Sequence, residues 1–307
     1  MRWKRGQRLK LVSETEAPTC TRKILREIRE RLGVPAVPKL YEAYAAFPEF
    51  LEIHWQVFRP AIQSRQFFLM GSRLAAESYT RAHNYFEIRA IGRCEAGSQT
   101  TVLSISQVLD YYQYLDPLLL LITAAQMQAF EGPVGEPLRS EPAIHIEFAA
   151  APPTLCDGSA SPELQRSWCE RKKLLELAFI SEEHRALACW PEFYVEYWAA
   201  LKELLQSPVY ADCRYRLAES ALKMAGELPV RVETAVSQLL DAGVNDEQIT
   251  SVMRVTEAFM QALTGLVLDI TFARIGVEKD AEQEAHRQPP GRSVQNQEKT
   301  GSPVRAA

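Results

Sequence analysis

The chain has 307 residues, of which 47 % are apolar and 24 % charged, enough to fill the core of one large or two ordinary globular domains. A net charge of −4 and a pI near 5.9 argue against nucleic acid as a partner. The six cysteines are scattered, with no Cys-x-x-Cys and no His-x-x-x-His beside them. Neither a zinc site nor a disulfide framework is therefore expected, and the chain reads as a reduced, soluble, cytoplasmic protein.

Residues 1–18 lack periodicity, and Arg2, Lys4, Arg5, Arg8 and Lys10 make them basic without the apolar run of a secretory signal. They read as a flexible, solvated arm. A helix follows, with Ile24, Leu25, Ile28 and Leu32 at 3.6-residue spacing and Gly33 as its stop. Val34 to Pro38 cannot be helical, because each proline disfavours helix in the residue before it. Helices are next expected over Leu40 to Ala46, over Pro48 to Phe58 with Pro60 marking the end, and over Gln66 to Asn84. After a polar segment at 92–99, two more are expected near Ile105 to Tyr114 and Pro117 to Phe130, the second capped by Asp116. The apolar run from Leu118 to Phe130 is well short of the roughly 20 residues that span a bilayer, so no membrane is implied.

Residues 133–161 are Pro-rich, extended at most over Ala143 to Phe148, and read as a connector. Ser161-Pro162-Glu163 then starts a helix running to about Ala178, with a break from Phe179 to Glu183. Helices are expected near Ala186, over Glu192 to Gln206, Ala211 to Gly226 and Arg231 to Ala242, and from Asp246 to about Ile275. The last has Asn245 and Gln248 at capping-box spacing and a long apolar stripe including Ile249, Val252, Phe259, Leu266 and Val267. From about Val277 to residue 307 the chain is charged and Gln-rich, and disorder is expected.

One phrase occurs twice. Phe47-Pro48-Glu49-Phe50 returns as Trp190-Pro191-Glu192-Phe193, 143 positions on, and the same register carries Trp55 onto Trp198, Gln63-Ser64 onto Gln206-Ser207, and Arg73-Leu74-Ala75 onto Arg216-Leu217-Ala218. The expected fold class is all-α: two tandem homologous repeats, 19–132 and 162–276, packed as an intramolecular pseudo-dimer with a cleft at the midline.

Familiar catalytic signatures do not occur. The sequence has no Gly-rich phosphate loop, no Gly-x-Ser-x-Gly, no His-Glu-x-x-His and no Asp-x-Asp-x-Thr, and the five histidines are dispersed. What stands out is Ser181-Glu182-Glu183-His184 at a break in the helical pattern, where the first copy has Pro38-Lys39-Leu40-Tyr41. Paired carboxylates at a helix start answer the positive end of its dipole. They also suit a general base, if one is aimed at the midline and desolvated by Tyr and Leu side chains. Asp116-Pro117 is a second such point, and Tyr112 and Phe259 read as pocket walls.

Four features together resemble the group I, DehI-type 2-haloacid dehalogenases: the Gly33 to Pro38 link, Leu187 to Phe193 followed by Trp198, the Tyr-rich phrase from Tyr111 into Leu118 to Leu121, and the duplication. The resemblance covers roughly residues 20 to 276 and implies an all-α pseudo-dimer that hydrolyses D- and L-2-haloalkanoic acids without metal or cofactor. A carboxylate would activate water, which displaces halide at C2 with inversion. The family's catalytic aspartate falls on Glu183, and an expected asparagine falls on Asp116. On this reading Glu183 is the base, Asp116 and Tyr112 orient water or substrate, Phe259 closes the pocket, and Glu182 and Lys39 join the substrate site, with Lys39 or Arg185 offsetting the added negative charge. The partner is a small carboxylate substrate, and a homodimer stays open. A lapsed scaffold that binds a small ligand or a protein is the alternative, recognisable if Glu183 is exposed and paired with Arg185. A third reading, an alkylhydroperoxidase-like redox protein, lacks its Cys-x-x-Cys.

Overall fold

The structure is a computed structural model that describes residues 9–92, 104–136, 147–175 and 180–287. The basic residues before position 9, the 143–146 stretch, the expected helix end at 176–178 and the tail from 288 lie outside the described residues.

The described residues form eleven α-helices and one 3₁₀ turn, with no strand among them; the one extended contact is the bridge between Val134 and Val232. The helices are α1 (Thr19–Leu32), α2 (Lys39–Tyr44), α3 (Pro48–Ile62), α4 (Arg65–Tyr85), α5 (Ile105–Ala129), α6 (Pro162–Leu174), α7 (Glu182–Leu187), α8 (Pro191–Leu205), α9 (Pro208–Ala225), α10 (Val236–Asp241) and α11 (Asp246–Arg287).

Local chemistry sets most boundaries. Gly33 takes the left-handed conformation at φ 66°, and its N–H and that of Val34 return to carbonyls of the last turn of α1. Ser64 and Ser207 accept from the third helical N–H of α4 and α9, while Pro48 and Pro191 open α3 and α8, where a missing N–H costs nothing.

Four expectations fail at these boundaries. Pro60 lies inside α3, and Pro117 lies inside an unbroken α5 of 25 residues. A proline forfeits one ladder bond, and burial of α5 on nearly every side outweighs that loss. Asp116 is consequently a mid-helix residue and not a cap, next to the point where the Gln113 carbonyl loses its partner. Residues 231–235 are not helical, because Val232 pairs with Val134 instead. Val277 is buried rather than disordered, and α11 runs on to Arg287; Tyr79 donates to Glu278 at 2.6 Å, and Lys279 donates to the Ile88 carbonyl at 2.9 Å.

The core is built around α5 and α11, which run antiparallel, with Asp110 beside Arg274 at one end and Thr123 beside Met260 towards the other. α4 and α9 flank them. At 42 residues α11 is long and apolar enough to cross a bilayer, but 67 % of its most apolar window is buried inside the protein. It also carries Asp269 in an internal ion pair, as a core helix can.

Contacts recur at the 143-residue register. Trp55 Nε1 donates to Glu27 at 2.9 Å and Trp198 Nε1 to Glu170 at 3.3 Å, while Arg59 pairs with Glu27 as Lys202 pairs with Glu170. Two pairs related by the same register touch each other: Lys39 with Glu182, and Ser220 with Glu77.

Candidate active site

The N-terminal ends of α2 and α7 meet where the middle of α5 passes. Lys39, first residue of α2, sends Nζ to Glu42 at 2.6 Å and to Glu182, first residue of α7, at 3.3 Å. Glu182 and Lys39 are both about one-third exposed. Glu183 faces inward and is only 8 % exposed, and Asp116 reaches its carboxyl from α5 with 1 % exposure. Tyr111 and Tyr112, one turn before Asp116, pack edge-to-face at 5.1 Å beside the same carboxyls.

Burial dominates the charge state. Desolvation raises the Glu183 carboxyl to about 7; the Glu182 charge adds to this, while Glu183's own N–H, the Ser181 hydroxyl beside it and Arg171 pull the other way. Desolvation and the charges of Glu183 and Glu182 hold Asp116 far above the usual carboxylate range. Glu182 is also raised, by burial, against the pull of Lys39. Burial raises the Tyr112 phenol too, so it stays a neutral hydrogen-bond donor. Neither oxygen of Asp116, nor Oε2 of Glu183, receives a donor among the described residues.

Behind Glu183 lies a polar network that the sequence reading missed. Arg171 of α6 donates to Asp269 Oδ2 at 2.8 Å, Tyr210 donates to Asp269 Oδ1 at 2.6 Å, and His184 Nε2 sits 3.5 Å from the same carboxylate. Burial alone would raise Asp269; Arg171, His184 and Tyr210 overturn it, and its pKa falls. His184 also meets the Tyr194 hydroxyl at 3.1 Å, and burial lowers it to about 4, so the imidazole is neutral. The available signal was a lone aspartate within the apolar run from Leu266 to Ile270. A charge inside a core helix needs a partner.

Most of the expected residues come together: Glu183, Asp116, Tyr112, Glu182 and Lys39. Phe259 does not join them. The antiparallel register sets the α11 level of Asp116 near Asp269, ten residues from Phe259, which is roughly 15 Å along a helix. Phe259 packs instead against the main core, one turn from Thr256, whose hydroxyl meets that of Tyr44 at 2.8 Å. Arg185 donates to the carbonyls of Ile180 and Leu155, lies over the Trp168 ring and acts on Glu182. A cleft of about 410 Å³ opens elsewhere, between α4 and α5, lined by Phe68, Gly71, Ser72, Tyr79 and Gln113 among others. No cluster of metal-ligating side chains occurs among the described residues.

An all-α protein with a desolvated carboxyl pair between two helix starts is the class that fold and site define. Residues 35–184 match the family described as halocarboxylic acid dehydrogenase DehI. A protein of Pseudomonas putida named (R)-2-haloacid dehalogenase is 27 % identical over 85 % of this chain and 90 % of its own length. One of the same name from Rhizobium sp. (strain NHG3) is 24 % identical over 66 % of this chain and 81 % of its own. The fold matches that of a solved D-2-haloacid dehalogenase in complex with L-LA, with TM-score 0.79 at 24 % identity over 90 % of this chain and 97 % of the other. The chain is thus similar to proteins of the DehI type in sequence and in fold.

Proposed function

We propose that the protein hydrolyses the carbon–halogen bond of small 2-haloalkanoic acids, with Glu183 as the base that activates water. The observation that carries this is the inward-facing carboxyl of Glu183, raised to about 7 by burial and so able to take a proton near neutral pH. Water, deprotonated by Glu183 as it attacks, displaces halide at C2 directly and inverts the centre. Asp116 and Tyr112 orient that water or the substrate. Lys39 offsets the charge of Glu182, so that an anionic substrate can approach. No cofactor enters this chemistry, and the place of action is the cytoplasm.

The fold's logic is a duplicated unit, 19–132 and 162–276, forming a pseudo-dimer. Matched bonds from Trp55 and Trp198 support it, as do the two self-meeting pairs, since only positions near a two-fold axis touch their own equivalents. The site is asymmetric, because Leu40 stands where the second copy has Glu183. Burial of Glu183 favours an enzyme over a lapsed scaffold.

The test is halide release from (R)- and (S)-2-chloropropionate, with product lactate resolved by configuration. Glu183→Gln is expected to lower turnover by about 10² to 10⁴, the usual contribution of a general base. A mutant as active as wild type would remove Glu183 from the mechanism. A folded wild type that releases no halide from either enantiomer would leave the scaffold reading.

A further inference from the structure

The cleft between α4 and α5 takes no part in the chemistry proposed above. It holds about 410 Å³, within the range of small-molecule sites, and is lined by one face of each helix: Phe68, Gly71, Ala75 and Tyr79 from α4, Gln113 and Leu118 from α5. Leu118 stands two residues from Asp116, so the Asp116 carboxyl leaves α5 on the other side. The cleft is poor in free donors. The three hydroxyls that line it all donate elsewhere, Ser72 to the Phe68 carbonyl at 3.0 Å, Tyr79 to Glu278 at 2.6 Å and Tyr114 to the Leu32 carbonyl at 2.7 Å. Acceptors are in excess. Pro117 has no N–H to give the Gln113 carbonyl, and at the Tyr79 end Asp110 and Glu278 share the guanidinium of Arg274, at 2.8 and 2.9 Å. That trio carries one negative charge.

The second half of the chain shows what fits such a place. At the 143-residue register Gly71 corresponds to Arg214, and α5 corresponds to α11 at 147 positions, Leu118-Leu119-Leu120-Leu121 to Gly265-Leu266-Val267-Leu268. The large and small partners are exchanged. In the first half a Cβ on Gly71 would run into Leu118; in the second, a Cβ on Gly265 would come within 3.6 Å of Arg214 Nε. Arg214 lies over the Tyr210 ring, 6.0 Å from its centre, and Nη2 donates to the Gln261 carbonyl of α11 at 2.8 Å. One half thus seats a guanidinium between an aromatic ring and a helix carbonyl, and the other, with Gly71, supplies the seat without the side chain. The correspondence rests on the duplication proposed above, whereas the cleft and its acceptors do not depend on it.

We propose that the α4–α5 cleft binds a small organic cation, an alkylguanidinium or alkylammonium, whose N–H groups meet the Gln113 carbonyl and the Asp110 carboxylate and whose apolar stem lies against Phe68 and Tyr114. Arg214 is the built-in counterpart of that ligand. The stem gains from leaving water on the apolar wall, and the head is drawn by the uncompensated charge at the Tyr79 end.

The experiment is a binding titration of the full chain with agmatine and n-butylguanidine, beside butyrate and n-butanol, for wild type, Asp110→Asn, Ala75→Leu and Gly71→Arg/Leu118→Gly, with circular dichroism to confirm folding. Wild type is expected to bind both cations and neither comparator. Asp110→Asn should weaken binding about fivefold, as for a partly exposed ion pair. Ala75→Leu, which fills the cleft, and the double variant, which supplies its own guanidinium in the manner of Arg214, should abolish it. No binding of either cation, equal binding of butyrate, or undiminished binding by a folded Ala75→Leu would overturn the proposal. Self-association of wild type that Ala75→Leu abolishes, with no cation bound, would overturn it in favour of a second copy of the chain in the cleft. A double variant that does not fold, beside a folded Ala75→Leu that no longer binds, would count against the duplication and leave the site standing.

Discussion

At the scale of single residues, the protein keeps a carboxyl where water cannot solvate it, and this costs stability. Glu183 has a folded pKa of about 7 against an ordinary 4.5. The unfolded chain then holds fewer protons than the folded one between those values, so the cost grows as pH rises from about 4.5 to about 7 and is constant above. At 1.36 kcal/mol per pKa unit it amounts to about 3 kcal/mol. Glu183→Gln should therefore be more stable than wild type at pH 8 by a few kcal/mol, with the advantage vanishing below about pH 4.5 in urea titrations. A pH-independent difference would mean that Glu183 is solvated. A mutation that removes activity and adds stability is the usual sign of a strained functional group. Glu182, Glu183 and Asp116 were legible as candidates because carboxylates at a helix break and beside a proline are chemically conspicuous.

At the scale of elements, six-residue α7 is too short to hold Glu183 by its own hydrogen bonds and depends on what it rests on. That support is the Arg171–Asp269 pair, with Tyr210 and His184 around it, linking α6, α7, α9 and α11. Removing one partner of a buried ion pair leaves the other charge unpaired, so Arg171→Met is expected to lower unfolding free energy by about 3–5 kcal/mol. Because Arg171 also holds the Glu183 pKa down, any residual activity should show its rising limb at higher pH. A variant with wild-type stability and profile would exclude this role. The elements themselves followed from periodicity and caps, except where context won. Pro117 was read as a helix start, yet α5 passes through it, because packing on α4 and α11 repays a single lost bond.

At the scale of the whole molecule, α11 is the beam on which both halves rest. Tyr44 of the first half reaches it at Thr256 and His184 of the second at Asp269, while its last turns hold α4 and the segment after it through Glu278 and Lys279. Gly276 lies so close to Ile91 that an added Cβ would come within 2.7 Å of Ile91 Cγ1. Ending the chain after Gly276 should therefore lower Tm, since Val277 and both anchors are lost while the acidic site is untouched. An unchanged Tm would mean that the last turns are ornamental.

Helix periods, prolines, serine caps and a recurring phrase determined from the sequence alone that this is an all-helical chain with a carboxylate at the start of a short helix. They do so because caps, turns and amphipathic faces depend on neighbours within a few residues. The tertiary structure alone decided that Asp116 lies against Glu183, that Arg171 and Asp269 sit behind them, and that Phe259 stands about three helical pitches out of level. Those facts depend on the register of α5 against α11 and on burial between distant segments. Burial, which no local pattern reports, is also what raises the carboxyl of an ordinary glutamate to about 7.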